Sequence, residues 1–305
     1  MVDNSMVSEE ELFQVVGSGW KTYEVQKRKK TFREKLKGKP IFSMILLLIV
    51  VLGCVFANLV ANHDPSGFYL RNLNTPPGRE FIFGTDSLGR DIYSLIWYGG
   101  RVSLVIGISG AAIITVIGVT YGCISGTAGP KVDSVLMRFT EMCGSIPTLL
   151  IILILSAVFQ ADDVISISVI IGITGWFALA RIVRSEVRQI RNSDYVMYAR
   201  LCGGGFGYVM YYHLIPNFVS AIMFVVISSV SSCITMESTL SFLGLGLPAD
   251  VVSWGSMLSL ANKALIMNTW WVIVIPGVFL VVTLMCITSV GSFVRSEVNN
   301  KYSNL

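Results

Sequence analysis

Apolar residues in this chain fall into six long, nearly charge-free runs, at about 41–61, 102–125, 139–160, 164–180, 214–236 and 270–293. A helix rising 1.5 Å per residue needs about 20 such residues to cross a hydrocarbon layer of about 30 Å. Strands of a membrane barrel would instead alternate apolar and polar positions over about ten residues. Backbone groups exposed to lipid have no partners outside their own helix, so the pattern predicts six spanning helices in an all-α membrane protein. Between the runs lie polar stretches at 62–100, 181–213 and 237–269, with short turns near Lys131, Asp133 and Arg138 and at Asp162 and Asp163.

Composition agrees with that pattern. The 305 residues are 53% hydrophobic and 14% charged, against about 25% charged in soluble domains. The net charge of +4 is unevenly spread. Lys21, Lys27, Arg28, Lys29, Lys30, Arg33, Lys35, Lys37 and Lys39 crowd the segment before the first run, where a basic cluster sets orientation rather than binding nucleic acid. Arg181, Arg184, Arg188, Arg191, Arg200 and Arg295 fall on the same side once six spans are counted. Asp64, Asp86, Asp91, Asp162, Asp163 and Asp250 fall on the other. Both termini are therefore expected in the cytoplasm. The chain divides into a basic segment at 1–40, a first span with its outer loop at 41–101, a five-helix core at 102–294 with an inner segment at 181–213, and a tail at 295–305.

Chemistry-bearing clusters are few. The six cysteines stand singly and read as small packing residues rather than a disulfide frame or zinc site. His63 and His213 are the two histidines and belong to opposite faces. VGSGWKT at 16–22 resembles a phosphate loop, but Trp20 stands where Gly must precede Lys21. No GxSxG or HExxH occurs, so no catalytic residue or metal ligand is assigned and the chain is not expected to be an enzyme. Gly118, Gly122 and Gly126 share one helix face and should let a second backbone approach closely. Trp270 and Trp271 open the last run as an interfacial anchor. Arg181, Arg184 and Arg188 read equally as headgroup anchors or as gating groups. Asp86, Arg90 and Asp91 read as loop structure. Glu141, near an inner helix end, could pair with a basic residue or gate. Glu237, with Ser238 and Ser241, could line a pathway or cap a helix start.

The segment DYVMYARLCGGGFGYVMYYHLIPN at 194–217 is polar, basic and broken by Gly203, Gly204 and Gly205. Its periodicity predicts a short helix, a glycine hinge and the start of the next span, with Pro216 in a first turn where its missing N–H costs nothing. It is similar to the E-A-A-x3-G-x9-I-x-L-P signature of binding-protein-dependent ABC importer permeases. Met197, Tyr198 and Ala199 stand at E-A-A, Gly203 at the glycine, His213 at the isoleucine, and Ile215 and Pro216 at L-P. FGTDSLGRDIYSLIWYGGRVSL at 83–104, MRFTEMCGSIPTLL at 137–150, GWFALARIVRSEV at 175–187, ESTLSFLGLGLP at 237–248 and Ser253-Trp254-Gly255 resemble the oligopeptide, dipeptide and nickel branch, C-type subunit. The chain departs from it at Met197 and Tyr198, in the extra glycines, and in a C-terminus reading FVRSEVNNK.

The resemblance implies a type I importer permease fold with a cytoplasmic coupling helix between spans four and five. Tyr195, Met197, Tyr198, Ala199, Arg200, Gly203, His213 and Pro216 would then form the ATPase-coupling element. Glu141, Glu237, Ser238 and Ser241 remain candidates for pathway or gate. The implied partners are a second homologous permease, two ABC ATPase subunits carrying ATP and Mg, an extracytoplasmic binding protein and membrane lipid. No cofactor is expected on this chain and no nucleic acid. The implied location is a bacterial or archaeal plasma membrane. Peptides are the expected cargo, with nickel or another small solute as the alternative. A self-sufficient secondary transporter or channel would want charges buried mid-span for ion coupling, and these runs hold almost none.

Overall fold

The computed structural model describes residues 40–302 apart from 192, 204, 210–214 and 249; the basic segment expected at 1–40 otherwise lies outside the described residues. The described chain is helical, with one isolated antiparallel bridge between Thr85 and Asp91. In order the helices are α1 Ile41–Val55, α2 Ala57–Val60, α3 Ile92–Thr127, α4 Pro130–Gly144, α5 Thr148–Phe159, α6 Val164–Gly175, α7 Phe177–Arg191, α8 Asp194–Leu201, α9 Phe206–Val209, α10 Ile215–Phe242, α11 Trp254–Leu258, α12 Ala261–Ile266 and α13 Trp271–Tyr302.

Helix α3 is the spine. Asp91 caps it by accepting a hydrogen bond from the Ser94 amide at 2.9 Å, as a side-chain oxygen at an N-cap does for a free first-turn donor. The helix therefore begins at Ile92, ten positions before the expected start of the second span, and the end of the GTDSLGRD segment is already helical. Asp86 holds the turn before it, accepting from the amides of Leu88 and Arg90 and from Arg90 Nε at 2.8 Å. These acidic residues build the loop, as the sequence reading expects.

Two apolar clusters meet along α3 and α10. One joins Ile106, Ile114, Ile152, Ile171, Leu179 and Val183 with Cys233 and Leu240. The other joins Cys54, Leu95, Ile96 and Trp97 with Ile234, Trp254 and Ile287. Cys54, Cys123, Cys233 and Cys286 are buried free thiols, filling space as small apolar groups. Arg101 reaches from α3 to the C-terminal carbonyls of α1, donating to Cys54 O and Val55 O at 3.0 Å each.

The seam between α3 and α7 is set by glycine. Gly118 faces Leu179, Gly122 faces the Ala180 carbonyl and Val183, and Gly126 faces Val187. A methyl group on Gly122 would lie 2.6 Å from the Ala180 carbonyl oxygen and 2.7 Å from Val183 Cβ. The expected small-residue face is thus the line along which two backbones touch.

The crossings are not six unbroken helices. Among the described residues three helices are by themselves long and apolar enough to cross a membrane, at Ile92–Thr127, Ile222–Phe242 and Trp271–Glu297. Two further crossings are broken: α4 meets α5 at 81°, and α6 meets α7 at 46°. Counting each bent pair as one span gives five, and α1, with 15 residues, is apolar but short. The first break has a chemical cause at Pro147, which has no amide proton to carry the α4 ladder onward. Helix α7 runs to Arg191, so the first third of the expected inner segment at 181–213 is helix rather than loop. Trp270 is 57% exposed, but Trp271 is buried and donates through Nε1 to the Thr85 carbonyl at 3.1 Å, tying α13 to the loop before α3.

Gly122→Ala should therefore lower stability by about 1–3 kcal/mol, the usual cost of overfilling a packed seam. Gly144→Ala, where a methyl meets nothing within 4 Å, should be neutral or stabilising by about 0.5–1 kcal/mol. Thermal unfolding of the solubilised protein compares the two, and equal midpoints would contradict the seam.

Candidate functional site

Three polar constellations punctuate the bundle. The first is α8, which follows α7 after a turn at Ser193. The Ser193 carbonyl accepts from the amides of Val196 and Met197, and its hydroxyl donates to Ile190 O. Val196 is fully buried and pins the short helix to the bundle, whereas Met197, Tyr198 and Leu201 are 54%, 68% and 77% exposed. Positions 197 and 198 lie four and three before 201, so the three share a face. Gly203 ends the element with φ +87°, a conformation that other residues adopt at a cost, and nothing lies within 4 Å of its absent side chain. Tyr195, Ala199 and Arg200 belong to the same helix, and Pro216 to the first turn of α10. His213 lies outside the described residues.

The second centres on Glu237. Neither a helix start nor an outer loop holds it, because α10 continues to Phe242; the capping reading and the expected outer region from 237 are both overturned. Its side chain is completely buried. Four hydroxyls donate to it: Ser253 Oγ at 2.6 Å, Ser241 Oγ at 2.9 Å, Ser103 Oγ at 3.2 Å and Ser238 Oγ at 3.4 Å. Ser103 also accepts from the Trp254 amide, and Ser253 caps α11 by accepting from the Ser256 amide. One carboxyl group thus joins α3, α10 and the start of α11. Gly244, at φ +74°, closes α10 as the Leu245 amide reaches back to the Leu240 carbonyl. Gly255 packs so close to Ser238 that a methyl would lie 2.5 Å from its Cα. Ser238 and Ser241 are ligands of this carboxyl and are themselves buried.

The third lies at the opposite, basic end of α3. Asp133, in the first turn of α4, receives Arg184 Nε and Nη2 at 2.5 Å each, Arg188 Nη2 at 3.0 Å and Ser125 Oγ at 2.6 Å. Arg191 donates to the carbonyls of Thr127 and Ala128 that close α3. Two guanidinium groups and one hydroxyl thus give the buried Asp133 carboxylate partners on both oxygens. Arg184 and Arg188 are therefore ion-pair partners rather than headgroup anchors; Arg181 is exposed.

Glu141 is 58% exposed and faces Arg138 Nη1 at 3.5 Å, a surface pair one turn long. Sequence reasoning missed the roles of Ser103, Asp133 and Ser253. Asp133 could have been noticed as an acid just inside a proline-started helix; nothing local marks Ser103, which lies 134 positions from its partner. No group of three or more metal-ligating side chains gathers among the described residues.

Apolar crossings, broken spans with two buried carboxylates partnered inside the bundle, and an exposed short helix at the basic end define a multi-pass membrane protein. Residues 118–298 match the family model described as the binding-protein-dependent transport system inner membrane component. The oligopeptide transport system permease protein OppC of Bacillus subtilis is 34% identical, over 85% of this chain and 84% of that protein. The dipeptide transport system permease protein DppC of the same organism is 34% identical, over 88% and 84%. OppC of Haemophilus influenzae is 32% identical, over 90% and 87%. The chain belongs to the family of binding-protein-dependent transport system inner membrane components. It is a permease subunit, and nucleotide hydrolysis in such systems resides on separate ATPase subunits.

Glu237→Ala should leave four hydroxyl donors without their acceptor and lower stability by about 1–3 kcal/mol. Ser253→Ala, which removes one of those bonds and the α11 cap, should cost about 1 kcal/mol. Unfolding midpoints of the solubilised protein measure both, and an unchanged midpoint for Glu237→Ala would show that the cluster contributes nothing to the fold.

Proposed function

We propose that this chain is one of two homologous permease subunits of an ATP-driven importer of short peptides. The relatives named for oligopeptide and dipeptide transport support the cargo. Two ABC ATPase subunits, binding ATP and Mg, dock at the basic end, and an extracytoplasmic binding protein delivers peptide at the end carrying Asp86 and Asp163. The basic end and both termini then face the cytoplasm, as the excess of Arg and Lys there favours. This chain binds no cofactor itself.

The observation that carries the reading is the exposed face of α8. An aromatic ring and two long apolar side chains stand in the open beside buried Val196. Such a face on a short helix suits insertion into a groove of a partner, where an aromatic buries large area at low entropic cost. Met197, Tyr198 and Gly203 take the docking contact, with Tyr195, Ala199 and Arg200 on the same helix; His213 and Pro216 start the span that receives the movement. Hydrolysis on the partners then swings the bundle between inward- and outward-open states around a midplane path. Glu237, Ser238 and Ser241 brace the outer end of that path.

Leu201→Arg and Gly203→Asp should each reduce peptide uptake by about tenfold or more, the scale of losing one interface anchor. Both variants should still reach the membrane with the partner permease. The measurement is labelled-peptide uptake by the full complex in proteoliposomes, alongside co-purification of the ATPase. Full uptake by either variant, or ion-driven uptake by the lone chain, would overturn the docking role.

A further inference from the structure

Helix α4 is held to the bundle in an unusual way. Its buried side chains are Asp133 and Thr140, both polar. Val132, Val135, Phe139 and Met142 of the same helix are all more than half exposed. The hydroxyl of Tyr121 donates to the Leu136 carbonyl at 2.8 Å. The closest hold on α7 is the grip of Arg184 and Arg188 on Asp133. By contrast α7 lies backbone to backbone on α3. Helix α7 also leads through Ser193 directly into α8.

We propose that Asp133, Arg184 and Arg188 are the tether through which a push on α8 reaches α4 and, beyond its 81° bend, α5. They are positioning residues for transport and do not touch the solute. A two-pronged guanidinium–carboxylate contact fixes orientation as well as distance, so α4 follows a rotation of α7 as well as a translation. Arg188, one turn after Arg184, grips the same carboxylate and resists twisting. Ser125 brings the end of α3 into the same knot. Apolar packing contributes less here, because Val132, Val135, Phe139 and Met142 of α4 are all exposed. The proposal rests on α8 being the docking element.

The test uses the complete complex in proteoliposomes, measuring ATP hydrolysis and peptide uptake together. Native Cys143 at the end of α4 serves as reporter, in a Cys202→Ser background that removes the exposed thiol. In the native tether, labelling of Cys143 by a charged thiol reagent should change when ATP is added. Asp133→Asn should keep hydrolysis, lower uptake per ATP by about tenfold, and make Cys143 labelling indifferent to ATP. Exchanging the charges, Asp133→Arg with Arg184→Asp, should recover about fivefold over Asp133→Arg alone, as contacting charges couple. If Asp133→Asn fails to assemble, Arg184→Lys, which keeps the charge and loses the fork, is read by the same criteria. Uptake per ATP within about twofold of native, or hydrolysis and uptake falling in proportion without recovery on exchange, would overturn the tether. A native complex without binding-protein-dependent peptide uptake would instead overturn the proposed function, and the Cys143 response then decides the tether alone.

Discussion

Gly118, Gly122 and Gly126 let the backbones of α3 and α7 touch, and most of the working surface hangs from that seam. In a membrane, lipid tails are as apolar as leucine, so burying apolar side chains between helices does little to hold them together. Close backbone contact and satisfied polar groups must do it instead. The seam supplies the first. It carries Leu179, Ala180, Val183 and Val187 on one edge of α7 and leaves Arg184, Arg188 and Arg191 free to reach other elements.

The second requirement is met by two carboxylates at opposite ends of α3. Glu237 is surrounded by hydroxyls and joins three helices at the acidic end. Asp133 is surrounded by guanidinium groups and joins three helices at the basic end. The choice of partner follows from surroundings. A hydroxyl brings no charge of its own into an apolar setting, whereas an arginine is tolerated where part of it reaches water. The result is a bundle braced at one end by neutral donors and at the basic end by charge.

Breaks in the helices serve the same design. The 81° turn at Pro147 and the 46° turn at Trp176 free α4 and α7 to lie against one another at the basic end while α5 and α6 pack in the apolar layer. The short helix α8 then projects from the most firmly packed part of the molecule, with Val196 buried at its root and Leu201 exposed at its tip.

Much of this is legible in the residues themselves. Long apolar runs, the spacing of Gly118, Gly122 and Gly126, the loop-forming Asp86 and Asp91, and the helix-then-glycine pattern at 194–205 are local features, and local sterics and hydrogen bonding decide them. The crossings were less legible. Hydropathy reports that a run is apolar but not that it is bent, since the bend at Trp176 depends on what packs around it. The partners of Glu237, Asp133 and Ser103 were not legible. Each depends on groups brought from far along the chain, 134 positions in the case of Ser103 and Glu237 and 51 in the case of Asp133 and Arg184. A carboxylate's partners are set by which helices pack together. Composition and periodicity determine that helices form and which faces are apolar; tertiary packing alone determines which polar groups meet.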